Sequence, residues 1–200
     1  MTIQQNLAGL VQTAIHLGAS DADFIAPVDI VVEDALADLC SKDPCCEQYG
    51  LAPSCPPHVP GPESFRQWQQ YSQGAIVIRI DIPTTALFSD ERRGIMQLLH
   101  EVTAGVELKA IEMGYTGSKA FAGGSCKNLF CFDQPDCPVL TDQKDCRYPQ
   151  SARPSMSGFG INVARLMHTA GWPAEKASPD QVSDAESMTW VAGLILIQGP

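Results

Sequence analysis

The sequence predicts an α/β layered domain with a small central sheet and two cysteine-rich metal-binding loops, at approximately residues 40–60 and 123–154. Three observations lead there. Segments of helical periodicity alternate with runs of β-branched residues over most of the chain. The hydrophobic fraction is 44%, enough to build a core in 200 residues, so crosslinks are not needed merely to stay folded. The eight cysteines, finally, fall into two compact sets inside stretches that lack either periodicity. Residues 1–200 are expected to form a single metal-binding domain.

From the N-terminus, Ile3, Leu7, Leu10, Val11 and Ala14 share one face at helical spacing, and Gly18 suits the stop. Phe24 to Val32 reads as a short or edge strand interrupted by Pro27. Glu33 to Leu39 forms a short helix that delivers Cys40. Pro62 opens a helix through Gln73, with Phe65, Trp68 and Tyr71 at three-residue spacing. Ala75 to Ile82 is rich in isoleucine and valine and reads as a central strand. Ser89 is placed to cap the next helix, along which Ile95, Leu99, Val102, Val106, Ala110 and Met113 form one stripe up to Gly114. Lys119 to Ala122 is a short strand leading into Gly123-Gly124-Ser125-Cys126. Gly158 to Ala170 reads as a helix stopped by Gly171, and Met188 to Ile197 as a final strand.

Charge narrows the function classes. Thirteen Lys and Arg stand against 23 Asp and Glu, a formal net charge of −10 with no basic block. Nucleic acid and anionic membranes are bound mainly through clustered cations, so neither is an expected partner. The acidity suits solubility and docking to a basic redox partner protein. The N-terminal residues lack the basic start and apolar run of a secretory signal, and no stretch reaches membrane-spanning length. The expectation is a cytoplasmic protein, and in a reducing cytosol eight thiols point to metal ligation or redox chemistry rather than to structural disulfides.

The first set is Cys40, Cys45, Cys46 and Cys55; the second is Cys126, Cys131, Cys137 and Cys146. Each supplies four thiols, the number taken by a 4Fe-4S cluster or a tetrahedral zinc ion. The paired C-x2-C knuckles of zinc ribbons are absent, as is the C-x2-C-x2-C run of bacterial ferredoxins. Gaps of four, five and eight residues are loose enough to wrap an object larger than one ion. One or two iron–sulfur clusters are therefore the favoured reading, with Zn the alternative. Adjacent side chains do not readily face one ion, so Cys45 stands as either a ligand or a small buried residue, while Cys40, Cys46 and Cys55 form the minimal first set.

These segments resemble a prokaryotic family of predicted metal-binding proteins that is defined by its cysteine pattern rather than by a known reaction. The resemblance is carried by Cys46-Glu-Gln-Tyr-Gly-Leu-Ala-Pro-Ser-Cys55-Pro-Pro, by Gly-Gly-Ser-Cys126, and by Cys146-Arg-Tyr-Pro-Gln-Ser-Ala-Arg-Pro-Ser-Met156. Gly158-Phe-Gly-Ile-Asn162 and the closing Gly-Leu-Ile-Leu-Ile strand are similar too. It implies metal or iron–sulfur binding in a cytoplasmic protein and no particular substrate. The gaps around Cys131 and Cys137 are longer than the family's shorter spacings.

Other residues carry weaker signals. Arg147 and Arg153 flank the second set and are read either as ordinary ion pairs or as cations for a cluster or an anionic substrate. His58 follows Cys55-Pro-Pro and is a remote candidate ligand, while His16, His100 and His168 lie in expected helices without a partner motif. Gly158-Phe-Gly160 is read either as a weak phosphate turn or as tight packing against the cysteine loop. Tyr49 and Tyr115 are read as packing aromatics or cluster shields. No Ser/His/Asp triad or Walker loop is present. The functions left are electron transfer with a redox partner, a catalytic or metal- and corrinoid-handling site for a small-molecule substrate, or a zinc-stabilised interaction module.

Overall fold

Strands account for the two runs with the most β-branched and bulky apolar residues, and they pair with each other. The computed structural model describes residues 3–175 and 187–199. Its sheet consists of β1 (Asp21–Ile25), β2 (Gly74–Pro83), β3 (Lys119–Phe121) and β4 (Met188–Ile197), in the order β1-β2-β4-β3 with every pairing antiparallel. In the register of β2 on β4, Ile76 faces Ile195 and Ile80 faces Val191 on one side of the sheet, while Val77 faces Leu194 and Ala75 faces Leu196 on the other. Both strands are buried on both faces, which is why neither shows the polar alternation of a half-exposed strand.

Helices cover both faces. On one side α1 (Ile3–Leu17) and α5 (Arg92–Glu112) bury Leu7, Leu10, Ala14, Leu99, Val102 and Val106 against the sheet. On the other, α3 (Gly61–Tyr71) and α8 (Val163–Thr169) contribute Phe65, Leu166 and Met167. There Phe65, Phe121 and Phe159 form edge-to-face pairs, with Phe121 at 5.1 Å from Phe65 and 5.0 Å from Phe159. The expected α/β layering is the observed one. The short helices α2 (Asp34–Asp38), α4 (Thr84–Leu87), α6 (Cys126–Phe130) and α7 (Pro138–Thr141) lie in the connections.

Three expectations shift in detail. The apolar stretch from Phe24 ends as a strand at Ile25, because Pro27 lacks an N–H and starts a 3-10 turn over Pro27–Asp29. Ser89 does not cap α5: its hydroxyl donates to the Ala86 carbonyl at 3.2 Å and accepts from the Glu91 N–H at 3.3 Å. The helix expected from Gly158 starts later. Met156–Phe159 is a 3-10 turn, Gly160 has φ +69°, and α8 opens only after Asn162, whose side chain accepts from the Arg165 N–H at 3.0 Å.

The cause of that break is a close approach. A Cβ on Gly160 would lie 2.4 Å from the Glu33 carbonyl oxygen, and one on Gly158 would lie 2.8 Å from Val59 and 3.0 Å from Pro56. Residues 156–162 thus pack directly onto the Cys55-Pro56-Pro57 segment and the strip before α2, with Glu33 N–H donating to the Gly160 carbonyl at 2.8 Å. Packing, the second of the two readings of these glycines, is the one observed.

Gly160→Ala should therefore destabilise the protein by about 2–4 kcal/mol, from left-handed strain plus the backbone clash. Gly171 also has a positive φ but open space around it, so Gly171→Ala should cost only about 1 kcal/mol. Chemical denaturation of both variants checks the ranking, and equal losses would contradict the packing account.

Candidate metal centre

The two cysteine loops meet at the free edge of β3. Past Phe121 the chain continues as an extended strip in which Ala122 bridges Ser155 in parallel, Ala122 N–H donating to the Pro154 carbonyl at 3.0 Å and Met156 N–H to the Ala122 carbonyl at 2.9 Å. Ser155 N–H in turn donates to the Ser54 carbonyl at 2.9 Å. The buried Ser54 hydroxyl accepts from the Cys126 N–H at 3.2 Å and stands 3.8 Å from the Cys55 sulfur. One serine thereby ties the first loop, the second loop and the 153–156 segment together.

All four cysteines of the second set line one small apolar cavity. Cys126 opens α6, Cys131 follows its last turn, Cys137 precedes α7, and Cys146 comes back from the loop beyond. Pro53 from the first loop, Phe130 and Tyr148 complete the wall, the two rings stacked at 5.3 Å. Tyr148 N–H donates to the Cys146 sulfur at 3.4 Å. Lys127 braces the loop from within, its ammonium donating to the Cys131 carbonyl at 2.8 Å and the Gln134 carbonyl at 2.5 Å. Arg147 does the same outside, donating to the Asp136 carbonyl at 3.2 Å.

The first set is more open. Cys40 follows α2, and Cys40 and Cys46 line one surface hollow with Leu36, Leu39, Ile161 and Asn162. Cys55 is buried and faces inward, toward the second set. Cys45 is exposed, and its thiol donates to the Cys40 carbonyl at 3.3 Å. His58 points back into its own loop, its Nε2 3.1 Å from the Gly50 carbonyl oxygen.

Electrostatics records the same proximity. Burial pushes the Cys126 thiol up to about 11, with Cys146 and Cys55 adding to the rise and Ser54 opposing it. The Cys40 thiol is raised by burial first, then by Cys46, Cys55 and Cys45 in that order. Cys126 thus senses a thiol from each loop, and Cys40 senses Cys55 from beyond its own hollow.

Among the described residues no three His, Cys, Asp or Glu side chains converge as a ready-made site for a single metal ion. The donor chemistry nevertheless fits a thiophilic group, because four soft sulfur donors surround one dry cavity. As packed, that cavity holds about 10 Å³, roughly the space of one water, so a cluster would fit only with its walls parted.

The pattern of the family described as predicted metal-binding protein (DUF2284) matches residues 23–197. The chain belongs to this family. No curated protein and no solved structure matches it. The DUF2284 match runs from within β1 to the end of β4, so it takes in both cysteine loops and the sheet that supports them.

Several residues packed around these cysteines carried little signal in the sequence. Ser54 and Ser125 each directly precede a buried cysteine, and the repeated Ser-Cys dipeptide was the available clue. His100 had none. It is fully buried in α5, with Nε2 2.9 Å from the Gly123 carbonyl oxygen and Nδ1 accepting from the Arg153 N–H at 3.2 Å. Arg153 forms an ion pair with Glu107, Nε to Oε2 at 2.5 Å, and Glu107 also accepts from the Ala120 N–H at 2.7 Å. The ordinary ion pair is thus the observed reading for Arg153. Tyr115 packs away from the cysteines and accepts from Asn6 at 2.7 Å, leaving Phe130 and Tyr148 as the aromatic wall.

Burial lowers the His100 pKa to about 4, the adjacent Arg153 charge helps, and the Gly123 and Ser151 carbonyls offset this only in part. Between about pH 6.5 and pH 4 the unfolded chain binds a proton at this histidine that the folded chain does not, so stability falls as pH drops through that window. The loss should approach about 3 kcal/mol at most. Thermal unfolding followed from pH 7 to pH 4 should show a slope that flattens in His100→Gln; an unchanged slope would assign the acid sensitivity to other groups.

Proposed function

We propose that this protein binds an iron–sulfur cluster through Cys126, Cys131, Cys137 and Cys146, and that it works in redox chemistry or electron transfer. The observation that carries the reading is that four cysteines from one irregular loop line a single apolar cavity. Membership of a family of predicted metal-binding proteins supports the coarser half of it. A cluster core gives each thiolate its own iron, which suits four cysteines spread along an irregular loop at gaps of four, five and eight residues. When bound, the group would supply a one-electron redox couple. The chain's own residues hold the thiols, exclude water through Phe130, Tyr148 and Pro53, and offer Tyr148 N–H and the Ser54 hydroxyl as hydrogen-bond partners that tune a sulfur site.

Cys40, Cys46 and Cys55 form the second donor set of this proposal. Cys45, exposed and turned to a carbonyl, is the dispensable thiol. A three-cysteine set leaves a coordination position for a small-molecule substrate, and the hollow beside Cys40 and Cys46 gives it access. The whole chain acts as one metal-binding domain, and its partner is a basic redox protein or a small molecule met in the cytoplasm. Among the described residues no helix is long and apolar enough to cross a membrane.

Anaerobic purification followed by iron, sulfide and zinc analysis tests the proposal. Iron with matching acid-labile sulfide is the expected result, whereas stoichiometric zinc without sulfide would replace it with the zinc reading. Replacing each of Cys126, Cys131, Cys137 and Cys146 by serine should remove one cluster's worth of iron, and a variant with unchanged iron would take that residue out of the set. Cys45→Ala should retain full metal content and Cys46→Ala should lose part of it. The reverse pattern would exchange their roles.

A further inference from the structure

An open sheet ends in edge strands, and an edge strand turns alternate N–H groups outward, where a strand of another chain can pair with them. Here the edges are β1 and β3. The outward groups of β1 follow from its pairing with β2. The Ser20 N–H donates to the Arg79 carbonyl at 2.9 Å, and the Asp81 N–H donates to the Ser20 hydroxyl at 2.8 Å, so the odd-numbered residues of β2 face β1. Their partners Asp21, Asp23 and Ile25 face back toward β2, which leaves Ala22 and Phe24 with their N–H groups pointing away from the sheet.

Both outward groups are already taken. The Ala22 N–H donates to the Asp21 carboxylate at 2.9 Å, and the Phe24 N–H donates to the Asp23 carboxylate at 2.8 Å. Each aspartate thus covers the donor next to it in the chain.

The opposite edge follows the same rule. Ala122 turns outward from β3 to the 154–156 strip, so Ala120, two residues earlier, also points outward. Its N–H donates to the Glu107 carboxylate at 2.7 Å. That edge is covered by the strip and by the buried Glu107–Arg153 ion pair. The β1 edge stands open to solvent instead, with Asp23 exposed and Phe24 48% exposed. A half-exposed phenylalanine on a free edge favours pairing, because a second strand would bury it.

We propose that Asp21 and Asp23 keep the free edge of β1 closed to a second copy of this chain, and that without them two copies join edge to edge through β1. Two-fold symmetry fixes how the copies would meet. The register that uses both outward N–H groups of each strand sets Ala22 opposite Phe24 of the other copy. Asp23 then stands opposite its own counterpart, and like charges directly opposite destabilise a strand pair. The aspartates therefore act twice. Their carboxylates occupy the donors that pairing needs, and their charges repel an identical edge in a chain whose net charge is already −10. The device is independent of the metal reading, since it involves neither cysteine loop.

The test is sedimentation equilibrium of the full chain over a range of concentrations, with circular dichroism reporting that each variant is folded. Asp21→Ala combined with Asp23→Ala should strengthen self-association about tenfold over the parent, the effect of freeing two donors and removing the facing charges. Asp23→Ala alone, at an exposed position that does not endanger folding, should give a smaller rise and decides the matter if the double variant does not fold. Phe24→Pro added to either variant removes one outward N–H without touching the ladder to β2, and should return association to the parent level. An unchanged association constant in the aspartate variants, or a rise that survives Phe24→Pro, would overturn the proposal. So would a parent dimer that Phe24→Pro alone dissociates, since the edge would then already be in use.

Discussion

The ten-residue ladder between β2 and β4 joins segments more than a hundred residues apart, and the rest of the molecule is arranged around it. Closing so long a stretch of chain carries an entropic cost that only a large buried surface can offset. The ladder supplies that surface twice, because both strands bury side chains on both faces and each face receives its own pair of principal helices. It also sets the position of β3, which among the described residues pairs as a strand with the outer edge of β4. The chain that leaves β3 carries Cys126 five residues on, so the site hangs from the edge of the sheet.

What assembles the site there is backbone contact between irregular segments rather than helix packing. Ser54 accepts from one cysteine-bearing turn and hands its own carbonyl to the strip that runs beside β3. Behind that junction, α5 contributes a neutral histidine and the Glu107 carboxylate, which fasten Gly123, Ala120 and Arg153. A buried ion pair of this kind adds little net stability but is costly to break, so it holds the strip in one register.

The dry setting has a chemical consequence. Thiols held among apolar walls resist ionisation, as Cys126 shows, and several together resist it more because each thiolate repels the next. A bound cation reverses that balance, since its charge turns mutual repulsion into shared attraction. On the proposed reading, deprotonation of these cysteines and capture of a metal go together.

Much of this was legible in the amino-acid order. The strands at 75–82 and 188–197, the stripe along α5, the layering and the two cysteine sets all follow from local periodicity and composition, which act over a few residues and leave a readable pattern. The family resemblance also lay in contiguous segments. The start of α8 did not follow that pattern, because Gly160 meets a carbonyl from residue 33, which no local rule contains. The strand order was equally hidden, as was the meeting of Cys55 with Cys126 through Ser54, since both depend on which distant segments share one surface. His100 and Ser125 looked ordinary for the same reason. Their importance lies in burial, and burial is a property of the packed molecule: the sequence determined which residues were present, and only tertiary packing decided which of them stand together, away from water.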